Sequence, residues 1–262
     1  MKISNKTILI TGATDGIGKV LAIEFSKLGS NIILLGRDAS KLDKVYDQLD
    51  QSNESQKHLI LEADLALLNN ESAHEILKAI TSEYNSLDGI INNAAILGTM
   101  TTLEDYELSQ WDEVLNINLR APFILSKTLK PVLENAPIPR IIFTSSGVAN
   151  IGRAFWGAYS VSKFGLKGLA EIFANELEST SSIKVFNFDP GATQTKMRAS
   201  ARPAENPSSL KTPNELVDCY LWFFSKESSD SKKYYLTRNM KYNYFITIIR
   251  QICKFCKIKY VN

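Results

Sequence analysis

The stretch Thr11-Gly12-Ala13-Thr14-Asp15-Gly16-Ile17-Gly18 decides the fold of this chain. It follows the apolar run 7–11, which is typical of a buried strand, and it opens a helical pattern that extends from Ile17 to Leu28. Glycines at such a junction permit a tight turn and let a diphosphate approach the N–H groups at the positive end of a helix. A P-loop is excluded because Val20 follows Gly18-Lys19, where that motif has serine or threonine. The stretch therefore predicts a dinucleotide-binding loop.

Apolar runs and helical patterns alternate along the rest of the chain. Strands are predicted at 7–11, 31–35, 58–61, 89–91, 140–143, 183–188 and 234–237. Helices are predicted at 17–28, 41–49, 71–84, 111–133, 159–178 and 213–224. This alternation predicts an α/β fold, a doubly wound parallel sheet of the Rossmann type with about seven strands and helices on both faces. We expect one oxidoreductase domain over residues 1–237 and a C-terminal extension over residues 238–262.

Composition limits the function classes. The chain has 262 residues, 44% hydrophobic and 22% charged, with a net charge of +2, which is typical of a soluble globular protein and excludes disorder, collagen and coiled coil. That charge predicts no nucleic-acid partner. We expect a cytoplasmic location, because no signal peptide or membrane helix is evident and three cysteines are too few for a disulfide framework. Cys253 and Cys256 lack further ligands, so no metal is predicted.

The charge is unevenly distributed. Residues 232–262 hold eight lysines and arginines and no acidic residue, so all 28 acidic residues and the other 22 basic ones precede them. Aromatic and aliphatic residues are interspersed among these late cations. Two interpretations stay open for this extension: a surface segment without a partner, or a segment that docks on an anionic membrane surface or a partner subunit.

Further motifs follow the later strands, where ligands of such a sheet bind. They are Asn92-Asn93-Ala94-Ala95, the segment Trp111-Asp112 to Asn118-Leu119, Thr144-Ser145-Ser146, Tyr159-Ser160-Val161-Ser162-Lys163 and Pro190-Gly191-Ala192-Thr193-Gln194-Thr195. In this order, and with thirteen residues from Ser146 to Tyr159, the set resembles the short-chain dehydrogenase/reductase family over about residues 6 to 225. Ala95 stands where the family has glycine.

Tyr159 and Lys163 are the central pair of this pattern. Four residues apart on a helix, they project from one face. A phenol is a poor acid at neutral pH, and an adjacent ammonium is expected to lower its pKa. Tyr159 is therefore predicted to act as a general acid and base in hydride transfer to a carbonyl.

The resemblance implies roles for other residues. Ser146 would hydrogen-bond the substrate oxygen, Lys163 would also bind the nicotinamide ribose, and Asn118 would hold a water in a proton relay. Asp64 and Leu65 would contact the adenine, although Asp64 is equally interpretable as a helix N-cap. The remaining predicted cofactor residues are Gly12, Thr14, Asp15, Gly16, Ile17, Gly18, Asn93, Ala94, Tyr159, Pro190, Gly191, Thr193 and Thr195.

The end of the second strand, Leu35-Gly36-Arg37-Asp38, bears on the form of the cofactor. A basic residue there is typical of family members that prefer NADP, since it pairs with the 2′-phosphate. Arg37, with Thr14, therefore favours NADP over NAD. Asp38 keeps NAD open, because its spacing from Gly18 also suits a carboxylate that binds the ribose.

The substrate pocket is predicted from two loops. Phe155 and Trp156 precede Tyr159, and Met197 and Arg198 follow the Pro190 motif. An apolar wall with basic residues at its mouth, to which Arg153 and Arg202 also contribute, suits a carbonyl compound with an anionic group, such as a phosphopantetheine-linked acyl thioester. Alternatively, the arginines are solvated and the two aromatic residues pack in a subunit contact.

Local matches around residues 152–159 and 195–201 resemble a bacterial branch, the YciK-like group, whose members are labelled oxoacyl-(acyl carrier protein)-type reductases. Two functional hypotheses stay open. The first is NADPH-dependent reduction of a ketone or 3-oxoacyl compound; the second is a dinucleotide-binding sensor or scaffold with little turnover. The resemblance also implies a homodimer or homotetramer that pairs through the helices holding Asn118 and Tyr159.

Overall fold

The computed structural model describes residues 3–51 and 55–229, together with the backbone of residues 235–237. Within these ranges seven parallel strands form one sheet in the order β3-β2-β1-β4-β5-β6-β7. The strands are β1 (Thr7–Thr11), β2 (Asn31–Gly36), β3 (Leu59–Glu62), β4 (Gly89–Asn92), β5 (Arg140–Thr144), β6 (Lys184–Asp189) and β7 (Tyr235–Thr237). The predicted doubly wound α/β sheet is confirmed, and its seven strands match the predicted number.

Helices connect these strands. They are α1 (Gly16–Lys27), α2 (Ala39–Tyr46), α3 (Asn70–Glu83), α4 (Leu108–Leu115), α5 (Ala121–Thr128), α6 (Lys130–Glu134), α7 (Gly157–Leu177), α8 (Lys196–Ala201), α9 (Val217–Phe223) and α10 (Lys226–Ser229). Short 3₁₀ turns occupy Gly147–Ala149, Pro207–Ser209 and Pro213–Leu216. None of the helices in the described ranges is both long and apolar enough to cross a membrane.

The core consists of two apolar layers, one on each face of the sheet. Neighbouring strand residues face opposite ways, so Leu9 and Ile141 pack with α3, α5 and α7, whereas Ile8 and Ile142 pack with α1 and α9. Every residue of the central strands β1, β4 and β5 is buried, on both faces of the sheet, which explains why these strands read as continuous apolar runs rather than as alternating ones.

The prediction of one continuous helix from Trp111 to Leu133 is wrong. A π-helical turn at Asn116–Arg120 follows α4, and α5 and α6 come after it. In that turn the N–H of Ala121 bonds to the carbonyl oxygen of Asn116, five residues back. Pro122 has no N–H, so it donates no helical hydrogen bond to the carbonyl of Asn118. Proline thus interrupts a segment whose apolar periodicity alone looks unbroken.

The topology places the loops that carry the predicted site residues at one edge of the sheet. Because all strands are parallel, the loops that follow them meet at the carboxyl edge, and the strand order reverses between β1 and β4. At the far side of the sheet, Thr237 of β7 pairs with Asp189 of β6. The predicted extension over residues 238–262, with Cys253 and Cys256, lies outside the described residues.

Candidate active site

A cavity of about 540 Å³ opens at the carboxyl edge of the sheet. The loops after β1, β4, β5 and β6 line it, together with the first turns of α7 and with α8. Most of the predicted site residues contribute to its walls: Gly12, Thr14, Asp15, Gly16, Ile17, Asn93, Ala94, Ser146, Trp156, Tyr159, Lys163, Pro190, Gly191, Thr193, Thr195, Met197 and Arg198. The structure therefore brings together residues as far apart in the sequence as Gly12 and Arg198.

The cofactor loop (residues 11–18) is shaped by close backbone packing. Gly12 has a φ of +66°, and a Cβ there would lie 2.8 Å from the Cα of Ala94. Gly18 lies outside the cavity lining, and a Cβ on it would come within 2.4 Å of the carbonyl oxygen of Gly12. Larger residues at either position would push the loop away from its neighbours. Gly18 thus shapes the predicted diphosphate site by packing and does not line it.

Hydrogen bonds fix the same loop to the one after β4. The hydroxyl oxygen of Thr11 accepts hydrogen bonds from the N–H groups of Asn93 and Ala94, both at 3.0 Å. The side-chain amide of Asn93 donates back to the carbonyl oxygen of Thr11 at 3.2 Å. The site wall is therefore built before any ligand contributes to it.

Three predicted catalytic residues meet in this cavity. Tyr159 and Lys163 lie on α7, and Ser146 lies just beyond β5 and hydrogen-bonds Tyr159. The Nζ atom of Lys163 donates to the carbonyl oxygen of Thr144 at 2.8 Å and lies 5.7 Å from the centre of the Tyr159 ring. Both α7 side chains are buried. A substrate oxygen placed in the cavity could contact Ser146 and Tyr159 together.

Burial controls the protonation of this pair. It raises the pKa of Tyr159 to about 12; the hydrogen bond with Ser146 opposes that rise, and the charge of Asp189 adds to it. Burial also lowers the pKa of Lys163 to about 8, and Asp189 opposes this lowering. The prediction that Lys163 lowers the pKa of Tyr159 is therefore wrong for this structure, because the ammonium is directed to Thr144 and the phenol is desolvated.

Asn118 is buried behind the cavity wall rather than within it. Its Oδ1 accepts the N–H of Ile96 at 2.8 Å, and its Nδ2 donates to the carbonyl oxygen of Ile96 at 2.9 Å and to the hydroxyl of Ser162 at 3.1 Å. The side chain thus ties the loop after β4 to α7. Its observed partners are Ile96 and Ser162 and do not include Lys163.

Four other predicted residues also lie away from the cavity lining. Arg37 is exposed, with a guanidinium nitrogen 4.0 Å from Glu113. Asp64 accepts the N–H of Ala66 at 2.9 Å, which is a local turn rather than a helix N-cap, and Leu65 packs in the core. Phe155 is 55% exposed and has a φ of +71°. Neither Leu65 nor Phe155 contributes to the lining of the described cavity.

The lid segment (residues 195–206) covers the opposite side of the cavity. Arg198, predicted to bind substrate, forms a two-point ion pair with Glu205, with both N–O distances at 2.6 Å. Lys196 pairs with Asp15 of the cofactor loop at 3.0 Å. Arg202 lies 5.8 Å from the ring centre of Trp156. The guanidinium of Arg198 is thus already engaged by a carboxylate of the lid segment itself.

Asp189 and Ser145 are among the cavity residues to which the sequence analysis assigned no role. Asp189 ends β6 and lines the wall beside Tyr159 and Lys163. Ser145 also lines it, with a buried hydroxyl that has no hydrogen-bond partner among the described residues. Their position at the carboxyl ends of β6 and β5 is the signal that would have identified them. Among the described residues, no group of three His, Cys, Asp or Glu side chains could hold a metal.

Comparison with known proteins adds independent findings. The profile of the short chain dehydrogenase family matches residues 6–206. YciK, an uncharacterized oxidoreductase of Escherichia coli (strain K12), is 35% identical over 226 residues, covering 86% of this chain and 88% of its own. The 3-oxoacyl-[acyl-carrier-protein] reductase FabG of Vibrio cholerae is 28% identical over 87% of this chain and 93% of its own. A short chain dehydrogenase from Shigella flexneri 2a, solved with NADP, superposes with a TM-score of 0.85 at 35% identity, covering 90% of this chain and 98% of the other.

Proposed function

The chain belongs to the short-chain dehydrogenase/reductase family, and on that premise we propose that it reduces a carbonyl compound with NADPH as hydride donor. Family membership makes it an oxidoreductase that acts on CH–OH or C=O groups. The observation that carries the proposal is the meeting of Ser146, Tyr159 and Lys163 beside the cofactor loop in one cavity. A protein that only binds dinucleotides does not need an acid and a lysine at that place.

Each catalytic residue has a defined task in this proposal. Tyr159 donates its phenolic proton to the carbonyl oxygen as the carbonyl carbon receives a hydride. Ser146 donates a hydrogen bond to the same oxygen, and Lys163 binds the cofactor ribose and restores the proton of Tyr159. Asn118 holds a water of the proton relay behind Lys163. The raised pKa keeps Tyr159 protonated at neutral pH, which is the form that reduction requires.

The residues present fit a nicotinamide dinucleotide, which supplies the hydride when bound. The glycine positions leave room that a Cβ would fill: at Gly16 it would lie 3.2 Å from the side chain of Thr195. The unpartnered hydroxyl of Ser145 offers a hydrogen bond inside the same cavity. We propose that Pro190, Gly191, Thr193 and Thr195 hold the nicotinamide end of the cofactor. Gly12, Thr14, Asp15, Gly16, Ile17, Asn93 and Ala94 would hold the diphosphate end.

The end of β2 favours NADP over NAD. Asp38, the carboxylate that kept NAD open, accepts the N–H of Lys41 at 3.1 Å and pairs with the Lys41 ammonium at 2.8 Å. Among the described residues, the one ion pair of Arg37 is a long contact of 4.0 Å to Glu113, so we propose that its guanidinium binds the 2′-phosphate. The NADP-bound relative supports the same choice. Asp64 would contact the adenine from the loop after β3.

The mouth of the cavity supports a substrate with an anionic group. Arg153 and Arg202 both line it, beside Trp156 and Met197, and neither forms an ion pair with a described residue. We propose a ketone that carries a negative charge some distance from its carbonyl, of the 3-oxoacyl thioester type. The similarity to a 3-oxoacyl-[acyl-carrier-protein] reductase supports this class. Arg198 would act indirectly, by holding the lid segment through Glu205.

Exposed apolar side chains on α5 and α7 support a homodimer or homotetramer. Phe123, Val161, Phe164 and Ile172 are each more than 40% exposed. Two copies paired through these helices would bury them. Light scattering should report a dimer or tetramer for the wild type and a monomer for Phe164→Glu.

We also propose that residues 1–237 form one domain that works in the cytoplasm. The sparse cysteine content supports a reducing compartment. Cell fractionation and limited proteolysis test the two statements; a periplasmic location, or a stable fragment that ends well before residue 237, would contradict them.

The decisive experiment measures turnover and cofactor binding separately. Purified wild type is assayed with NADPH against a carbonyl panel that includes 3-oxoacyl thioesters, beside Tyr159→Phe and the matched control Tyr46→Phe, whose ring lies outside the cavity. We expect Tyr159→Phe to lower kcat by about 100-fold or more with an unchanged Kd for NADPH, and Tyr46→Phe to change neither. An unchanged kcat in Tyr159→Phe would show that the assigned acid is wrong. If the wild type binds NADPH but reduces nothing in the panel, the sensor or scaffold hypothesis replaces the reductase.

A further inference from the structure

Asp189 is a carboxylate inside the catalytic cavity for which the proposed reaction has no role. It is the last residue of β6 and directly precedes the Pro190-Gly191 turn. Its side chain lines the cavity together with Tyr159 and Lys163. A half-buried acid beside a hydride-transfer centre affects every charge that appears there, because the surrounding protein screens charge less than water does.

The backbone fixes the direction of this carboxylate. Its Oδ1 accepts the N–H of Gly191 at 2.8 Å. Its Oδ2 lies 3.6 Å from the point where a side chain on Gly147 would begin, so it faces the loop that follows Ser146. Among the described residues, no lysine or arginine nitrogen lies within 4.0 Å of it. Its charge is therefore held in place and is not neutralised by a direct ion pair.

Three titratable groups face Asp189 from the helices packed around it. Lys163 and Tyr159 lie on α7, and Tyr220 lies on α9 with its hydroxyl 2.8 Å from that of Thr144. The Asp189 charge raises the pKa of all three, so it favours the protonated ammonium and both protonated phenols. Each effect has the sign expected of a negative charge that acts across the cavity.

The position of the nicotinamide ring follows from the chemistry. A hydride can reach the substrate only if the donor carbon lies about 3–3.5 Å from the carbonyl carbon. Because Ser146 and Tyr159 would hold the carbonyl oxygen, the ring would lie in the same cavity, whose wall also includes Asp189. The oxidised ring carries one positive charge more than the reduced ring, and that difference is located where Asp189 acts.

We propose that Asp189 is a positioning residue whose fixed negative charge shifts the balance of bound cofactor toward the oxidised form, so that this protein holds NADP⁺ more tightly relative to NADPH than a neutral side chain at this place would allow. The inference rests on the proposed function, since it assumes that the cavity binds NADP(H).

Asp189 acts on each charge that appears during reduction. When the carbonyl carbon accepts a hydride and the carbonyl oxygen accepts the proton of Tyr159, the hydride would come from the bound nicotinamide, whose ring would then carry one more positive charge. Asp189 stabilises that developing charge and, together with it, the Lys163 ammonium beside the new phenolate. Its charge disfavours the Tyr159 phenolate, so the residue favours the oxidised cofactor on the protein once the proton of Tyr159 has been restored.

The test removes the negative charge of Asp189 and keeps the shape of its side chain. Asp189→Asn retains an oxygen that accepts the N–H of Gly191, so a purely structural role would survive it. Dissociation constants for NADP⁺ and NADPH are measured separately, by calorimetry and by nicotinamide fluorescence, at neutral pH and low salt. Asp15→Asn is the matched control, because it removes a carboxylate from the diphosphate end of the same cavity.

We expect Asp189→Asn to raise the ratio of Kd for NADP⁺ to Kd for NADPH by at least about fivefold, mostly through weaker NADP⁺ binding. Asp15→Asn should change both constants by the same factor and leave the ratio unchanged, since the two forms carry identical phosphates. A ratio within twofold of the wild type in a folded Asp189→Asn that binds NADPH overturns the inference and leaves the reductase proposal intact. Failure of the wild type to bind either form overturns both.

Discussion

The two sides of the cavity are built in opposite ways. The cofactor loop is positioned by its own backbone: Gly12 and Gly18 allow contacts that a Cβ would prevent, and Thr11 and Asn93 bind main-chain groups. The lid segment is positioned by charged side chains, through the pairs Arg198–Glu205 and Lys196–Asp15. In the second of these pairs, the Lys196 side chain is 86% exposed.

This difference indicates which part of the site tolerates substitution and which part does not. A diphosphate is common to every dinucleotide, so its binding loop can be a fixed part of the fold. A substrate wall held by surface ion pairs tolerates substitution, because each exposed pair contributes little to stability. Damage to the cofactor loop should therefore affect folding and cofactor binding together, whereas loss of the Arg198–Glu205 pair in the lid segment should affect substrate binding alone.

The largest effect is expected from a single methyl group in the cofactor loop. Gly18→Ala places a Cβ 2.4 Å from the carbonyl oxygen of Gly12, so the loop must move. We expect the free energy of unfolding to fall by about 1–3 kcal/mol and NADPH affinity to fall at least about tenfold. The control is Gly152→Ala on the substrate side, where an added Cβ meets no atom within 4 Å. Urea denaturation and NADPH titration measure both; equal effects of the two substitutions would refute the contrast between the two sides.

The second largest effect is expected at the end of β2, on the affinity for NADPH. Arg37→Gln removes the charge assigned to the 2′-phosphate, and we expect NADPH affinity to fall by about tenfold while NADH affinity stays the same. Lys41→Gln is the control. It also removes one positive charge near the end of β2, but Lys41 lies on α2 and already pairs with Asp38. Parallel titrations with both cofactors test this. An equal loss for NADH and NADPH would show that Arg37 does not select NADP.

A smaller effect is expected from Lys163, on the pH dependence of the free energy of unfolding. Its pKa of about 8 lies below the usual 10.5, so between these values the unfolded chain binds a proton that the folded protein has released. The free energy of unfolding of the wild type should therefore rise relative to Lys163→Met as the pH increases from 8 to 9.5, by about 1.5 kcal/mol. Below about pH 7 the difference in the free energy of unfolding should be constant, because both states then bind the proton. Urea denaturation at a series of pH values measures it, and a difference that declines with pH would contradict the desolvated lysine.

The smallest effect is expected in the lid segment. Arg198→Gln breaks the pair with Glu205 but leaves the cofactor loop untouched. We expect the KM for the carbonyl substrate to rise about threefold with unchanged kcat, unchanged NADPH affinity and no shift of the urea midpoint. Lys196→Gln, which breaks the more exposed pair, should change KM even less. A loss of NADPH binding in Arg198→Gln would show that the two sides are not independent.

Glycine spacing and the apolar strand pattern were sufficient to predict part of the site from the sequence. The cofactor loop and the Tyr159–Lys163 pair could be placed from spacing, because backbone conformation and helical periodicity are local properties. The ion pair between Arg198 and Glu205 could not be predicted in this way, because it depends on how the chain turns after α8. The proton state of Tyr159 depends on burial by several distant segments, so spacing alone predicted the wrong direction for its pKa.

The pairing of Thr237 with Asp189 has a practical consequence for handling this protein. β7 ends at the edge of the sheet where the cavity opens, whereas β1 begins at the opposite edge. A tag, fluorophore or surface tether attached soon after residue 237 would therefore start within reach of the cavity mouth. Attachment at the amino-terminal side points away from it, and this is the orientation to choose for immobilised assays.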